Sequence, residues 1–211
     1  MTIQKARDNR KRRRAVLGIS GASGSIYALR LAKILMESGA ELYCIPTDAA
    51  KKILAQETPF ADFESAIISQ LGKGAERGTL RMCGIGDFGE PPASGSFNFG
   101  AMAVLPCSMN TLGKIANSTA DNLLVRAAEV ALKERRRLVV CPRETPLALS
   151  HIENMRSLFL AGAVVMPACP AFYGKPESVL DLADFIAARA AAAINITVKF
   201  FIGFICFSIL C

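Results

Sequence analysis

The chain has 211 residues, enough for one well-buried domain, and 52% hydrophobic against 20% charged residues exclude a disordered chain. Its 16 Gly and 10 Pro follow no repeat, which excludes collagen-like and low-complexity types. All but one unit of the formal net charge of +7 falls within residues 1–14, where Lys5, Arg7, Arg10, Lys11, Arg12, Arg13 and Arg14 face Asp8 alone, so the basic balance describes a solvated N-terminal arm and predicts no nucleic-acid partner for the body of the protein.

Residues 14–20 are a short apolar run ending in the turn Ser20-Gly21-Ala22-Ser23-Gly24, and 26–38 follow with Leu29, Ala32, Ile34 and Leu35 at helical spacing. This predicts a strand, a turn and a helix. Residues 41–46 predict a second strand, 49–56 a helix, and 62–71 a helix with Phe63, Ile67 and Leu71 on one face. The stretch 72–100 is rich in Gly, Pro and Ser, with only 80–85 strand-like, and predicts a long functional loop. Alternation resumes with a strand at 101–106, a helical turn at 111–116, a helix from 122 to about 136 capped by Asp121, and a strand at 137–141. A helix at 147–160 with Leu149, Ile152, Met155 and Phe159 on one buried face, a strand at 163–166 and an Ala-rich helix at 179–194 complete the pattern. Continuous apolar strands alternating with helices predict a single-domain α/β fold over 15–195, an open parallel sheet with helices on both faces. Ligands of such sheets sit at the C-terminal strand ends, here 21–25, 47–48, 107–111, 143–145 and 170–173.

Seven cysteines at Cys44, Cys83, Cys107, Cys141, Cys169, Cys206 and Cys211 form no CxxC pair, so neither a disulfide framework nor a metal site is expected. Cys44, Cys107, Cys141 and Cys169 lie in or beside apolar strand-like runs, which suits a reducing, cytoplasmic setting. The short apolar run after the basic arm lacks the h-region of a secretory signal, leaving a mitochondrial presequence as the alternative. Residues 196–211 carry one charge, Lys199, and fall short of the roughly 20 apolar residues that span a bilayer.

Two turns carry the chemistry. The glycines of the stretch Gly18-Ile19-Ser20-Gly21-Ala22-Ser23-Gly24 allow close backbone approach and its serines, Ser20 and Ser23, offer hydroxyls at a helix N-terminus, for which a phosphate is the natural guest and a simple tight turn the alternative. The G-x-G-x-x-G dinucleotide fingerprint is absent. Ser108-Met109-Asn110-Thr111 is a second hydroxyl-rich turn after a strand, and two such turns on one sheet edge favour a mononucleotide. Arg126, Glu129 and Lys133 share a helix face, a salt-bridge stripe or a cationic site. With Arg143, Tyr173 and Arg189 these cations suit a second phosphate. Glu57 and Glu144 are the carboxylates available for proton transfer, and the single histidine, His151, is expected to be structural.

Taken in order, the stretches 18–24, 92–97, 106–112, 126–130, 132–136, 143–147 and 170–173 resemble the UbiX-type flavin prenyltransferases, formerly described as aromatic acid decarboxylase subunits. The resemblance implies a flavodoxin-like, Rossmann-like fold, a dodecamer, and transfer of a dimethylallyl group from dimethylallyl monophosphate to N5 and C6 of reduced FMN, giving the prenylated flavin used by UbiD-type decarboxylases. It implies that Gly21, Ala22, Ser23, Thr47, Ser108, Met109, Asn110, Thr111 and Arg143 hold FMN, and that Lys133, Tyr173 and Arg189 hold the prenyl phosphate. Glu57, Glu144, Lys133 and Ser23 would serve the chemistry, with some residues supplied by neighbouring subunits. The rival on the same fold is a flavin-dependent cysteine decarboxylase, whose Trp-containing signature has no counterpart at 106–111; a non-catalytic FMN carrier is another. The similarity stops after Asn195, and the abrupt apolar tail favours a non-native end over a subunit or membrane contact.

Overall fold

The computed structural model describes residues 13–71 and 78–195; the tail and nearly all of the basic arm lie outside the described residues. A six-stranded parallel sheet has the order β3-β2-β1-β4-β5-β6. Its strands are β1 (Arg14–Ile19), β2 (Glu41–Pro46), β3 (Thr79–Met82), β4 (Ala101–Cys107), β5 (Arg137–Pro142) and β6 (Val164–Val165). β4 is buried along its whole length and β1, β2 and β5 at all but their first residue, because both faces are covered. On one face α1 (Ser25–Glu37), α3 (Phe63–Leu71) and α7 (Val179–Ala193) pack over Leu17, Leu42, Ala103 and Val139. On the other, α4 (Met109–Ala116) and α5 (Leu123–Lys133) cover Val16, Met102, Val104 and Val140. α2 (Asp48–Glu57) and α6 (Leu149–Leu160) complete the helices, and residues 91–93 form a short 3₁₀ turn.

The long 72–100 segment is fixed, where described, by the cations at the N-terminal edge of the sheet. Arg136 donates to Phe97 O at 2.7 Å and Gly95 O at 2.6 Å, and Arg126 Nε to Ala93 O at 3.2 Å. Arg14 stacks on the Phe97 ring at 4.8 Å and Arg136 on Phe99 at 4.4 Å.

Three local expectations change. Asp121 pairs with Lys114, and Asn122 is the residue that caps α5, its side chain accepting from Val125 N at 3.0 Å. On α6 the expected buried face is turned outward: Leu149, Ile152 and Phe159 are exposed, while Leu158 and, in part, Met155 meet the core. Among the described residues α6 packs chiefly on α4 and the two-residue edge strand β6, which leaves its outer apolar face uncovered by them. Cys169 is exposed, since β6 ends at Val165 and the chain leaves the sheet before reaching it; Cys44, Cys83, Cys107 and Cys141 are buried thiols, with desolvation pushing Cys83 and Cys107 up to about 12.

Candidate active site at the C-terminal edge of the sheet

The strand order places the ends of β2, β1, β4 and β5 side by side, and the crossover from β1 to β4 opens a crevice there. Gly21 lies against α2: a Cβ built on it would stand 2.6 Å from the Ala49 Cβ, so only glycine permits this approach. Thr47 caps α2, its hydroxyl accepting from Ala50 N at 3.1 Å. Ser108 caps α4, accepting from Thr111 N at 3.3 Å and donating to Thr111 Oγ1 at 3.1 Å. Met109 and Thr111 are buried beneath this turn. Arg143 follows β5 and its N–H donates to Cys107 O at 3.1 Å, tying the β5 end to the β4 end.

The glycine-rich turn differs from the anion cradle its sequence suggests. Gly24 adopts φ +108°, and the Gly24 and Ser25 N–H groups at the start of α1 donate to Glu57 Oε1 at 2.8 Å and Oε2 at 2.7 Å. The protein's own carboxylate thus fills the helix N-terminus proposed for a phosphate. Partial burial by itself would raise the Glu57 carboxyl, but bonds from the Ser23 hydroxyl and the Gly24 and Ser25 N–H groups outweigh it and hold the group below its ordinary value. Glu57 is therefore ionised at neutral pH and faces Ser23.

Tyr27 lies across Gly24, its ring 2.7 Å from a Cβ built there, and its phenol is pushed up by burial, then by Cys169, against the opposing pull of Arg143. Among the described residues, Arg143 Nε is one of two buried side-chain polar atoms without a hydrogen-bond partner. A cation anchored at a strand end with an unmet donor fits an anionic or carbonyl-rich ligand. Glu144 is exposed and its carboxylate accepts from Thr145 N at 3.1 Å.

Lys133 is not gathered with these groups. Lys133 ends α5, just ahead of β5, so it stands at the opposite edge of the sheet, paired with Glu134 over Gly95. Arg126 pairs with Glu129 at 3.7 Å, and the other buried unpartnered atom, Glu129 Oε1, lies beneath this face. Tyr173 is 75% exposed and its ring meets Phe185 edge-on at 6.4 Å; Arg189, one helical turn beyond Phe185 on α7, is exposed as well. His151 accepts from Ala148 N at 3.1 Å at the start of α6, a capping contact. Ser20, in the sequence one of the hydroxyls of this turn with no separate role assigned, is 1% exposed and bonds to both Pro106 and Ser108.

Residues 3–191 match the Flavoprotein family. The chain is 43% identical over 188 residues to the flavin prenyltransferase UbiX of Pseudomonas aeruginosa, covering 87% of this chain and 90% of that one. The chain belongs to the UbiX flavin prenyltransferase family. Among solved structures, AnUbiX (PadA1) in complex with FMN and dimethylallyl pyrophosphate superposes with a TM-score of 0.78 at 35% identity, covering 88% of this chain and 93% of that one. The dodecameric FMN-dependent UbiX-like decarboxylase of Escherichia coli O157:H7 gives 0.79 at 33% identity, with 89% and 98% covered. Both UbiX neighbours share the flavodoxin-like, Rossmann-type arrangement of one parallel sheet between helices.

Proposed function

We propose that the protein is a flavin prenyltransferase that moves a dimethylallyl group from dimethylallyl monophosphate to reduced FMN, for use by a UbiD-type decarboxylase. The observation that carries this is the 43% identity to a UbiX flavin prenyltransferase across nearly the whole of both chains. The site is compatible with it. Gly21, Ala22 and Ser23 line one wall, Thr47 and Ser108 to Thr111 offer capped hydroxyl turns, and Arg143 supplies the unmet donor for the flavin. In the transfer the allylic C–O bond breaks, a C–N bond forms at N5 of the flavin, and the phosphate departs with the bonding pair. Ring closure follows when the prenyl double bond takes up a proton, C6 bonds to the resulting tertiary carbon and C6 gives up its own proton, so that the protons balance in the prenylated product.

The resemblance to the family assigns Lys133, Tyr173 and Arg189 to the departing phosphate, whose charge such fixed donors and cations can stabilise. Lys133 stands at the far edge of its own sheet and so serves the site of a neighbouring copy, which fits the dodecameric E. coli relative and the outward apolar face of α6. Glu57, ionised beside Ser23, accepts a proton in the reaction, and Glu144 assists phosphate departure. The relatives from Pseudomonas aeruginosa and Methanocaldococcus jannaschii are bacterial and archaeal, which accords with a cytoplasmic enzyme; no described helix is long and apolar enough to cross a membrane.

The deciding experiment incubates the protein anaerobically with reduced FMN and dimethylallyl monophosphate, with the pyrophosphate in parallel, and reads the flavin by mass spectrometry. A flavin heavier by one dimethylallyl unit is expected with the monophosphate; unchanged FMN with both donors refutes the assignment. FMN is also expected to bind more tightly than FAD or NAD by fluorescence titration, since no second nucleotide signature accompanies the two turns. Arg189→Ala and Tyr173→Phe are expected to raise KM for the prenyl phosphate while FMN stays bound, whereas Arg143→Ala also weakens FMN. Each lost charge-assisted bond costs roughly 1.5–3 kcal/mol, or about 10–150-fold. Loss of FMN in Arg189→Ala with normal use of the donor would reverse the assignment.

A further inference from the structure

The pairing of β1 with β4 runs from Ala15↔Ala101 to Gly18↔Val104, and on the other side of β4 the register with β5 shifts between Val104 and Cys107. The regular ladder therefore gives out just before the two turns that form the crevice. Pro106 has no N–H to continue it. At this point Ser20 takes over: its N–H donates to Pro106 O at 3.2 Å, its hydroxyl donates to the same oxygen at 3.1 Å, and the hydroxyl oxygen accepts the Ser108 N–H at 2.7 Å.

We infer that Ser20 is a positioning residue for the flavin, its buried hydroxyl setting the spacing between the glycine-rich turn and the Ser108 turn. One hydroxyl has one proton and two lone pairs, and here the proton goes to Pro106 while a lone pair meets Ser108, so the group acts as donor and acceptor across two strand ends. Ser108 in turn holds Thr111 through its own hydroxyl, and Gly21, next to Ser20, packs on Ala49 at the start of α2. A single side chain at 1% exposure thus fixes the relative placement of the β1, β4 and α2 ends without reaching the ligand itself. Removing it leaves the part-buried Ser108 N–H without its partner, which frees the turn to shift. Threonine keeps the hydroxyl and adds one methyl group.

This inference rests on the flavin reading above. The test compares the full-length wild type, Ser20→Ala and Ser20→Thr, each folded as judged by circular dichroism, for FMN dissociation constant by fluorescence and for KM of dimethylallyl monophosphate at saturating reduced FMN. Ser20→Ala is expected to weaken FMN about tenfold and to leave the prenyl phosphate KM within about twofold, since one lost hydrogen bond between the two turns is worth roughly that factor. Ser20→Thr is expected to restore most of the affinity. A purely structural role would lower the melting temperature of Ser20→Ala while the folded protein bound FMN as before, and that result overturns the inference. Equal weakening in both variants overturns it as well, because the hydroxyl would then not be the cause. A wild type that binds no FMN refutes the flavin reading itself, and with it the ligand named here; wild-type affinity in Ser20→Ala refutes the Ser20 role alone.

Discussion

Glu57→Gln is expected to slow prenyl transfer by about 10²–10⁴-fold, the usual worth of a positioned proton acceptor, while FMN remains bound. The carboxylate receives the Gly24 N–H at 2.8 Å and the Ser25 N–H at 2.7 Å, together with the Ser23 hydroxyl. A glutamine offers one carbonyl to these donors and turns an NH₂ toward the rest, and it takes up no proton. The same substitution carries a pH signature. The Glu57 carboxyl is held below its ordinary value of 4.5 in the folded protein, so its contribution to stability is complete above that value and is lost as the pH falls through the lower folded-state value. Urea unfolding of wild type and Glu57→Gln is therefore expected to differ at pH 7 and to converge as the pH falls below the folded-state value. The residue is exposed, so the difference at pH 7 is expected to be modest, about 1 kcal/mol. Undiminished turnover in Glu57→Gln would remove Glu57 from the chemistry, and a stability gap that does not narrow as the pH is lowered would remove the charge from its structural role.

Asp184→Ala is expected to produce the largest loss of stability among single changes outside the apolar core. Arg30 on α1 forms a two-pronged pair with Asp184 on α7, Nη2 to Oδ2 at 2.7 Å and Nε to Oδ1, and its Nη1 reaches Gln70 of α3 at 3.3 Å. The two side chains are only 13% and 17% exposed, so truncating the aspartate strands a guanidinium between three helices. Leaving such a charge without its partner costs about 3 kcal/mol, which in a protein of this size lowers the melting temperature by roughly 6–12 °C. Replacing both partners with apolar residues, as in Arg30→Met with Asp184→Leu, is expected to recover most of that loss, because the penalty lies in the unpaired charge. Thermal circular dichroism on the three proteins decides it; a single variant melting within 2 °C of wild type would show the pair to be energetically idle. Because α7 also carries Arg189, the single variant is further expected to raise KM for the prenyl phosphate.

The strands β1, β2, β4 and β5 could be read directly because residues buried on both faces must be apolar at every position, a pattern that parallel sheets alone produce at this length. The glycine and hydroxyl turns were legible for the same local reason: backbone approach and helix capping depend on a few adjacent residues. The outer face of α6 was not. Its spacing declares Leu149, Ile152 and Phe159 an apolar stripe, but periodicity does not say whether the stripe meets the sheet or a second molecule.

Tertiary structure alone decided how the site is wired. Glu57 lies 33 residues from Gly24, and Ser20 lies 88 from Ser108, yet each pair is in hydrogen-bond contact. Those contacts exist because the chain passes from β1 out to the β2–β3 edge and returns to place β4 beside β1, a choice set by which faces can be buried together. The β4-to-β5 crossover through α5 sent Lys133, adjacent in motif to the other cations, to the opposite end of the sheet. What residue types the chemistry uses was written in the sequence; which of them share one chain's crevice followed from strand order, since a helix that returns the chain to the start of the next strand carries its last residues away from the strand ends that bind ligand.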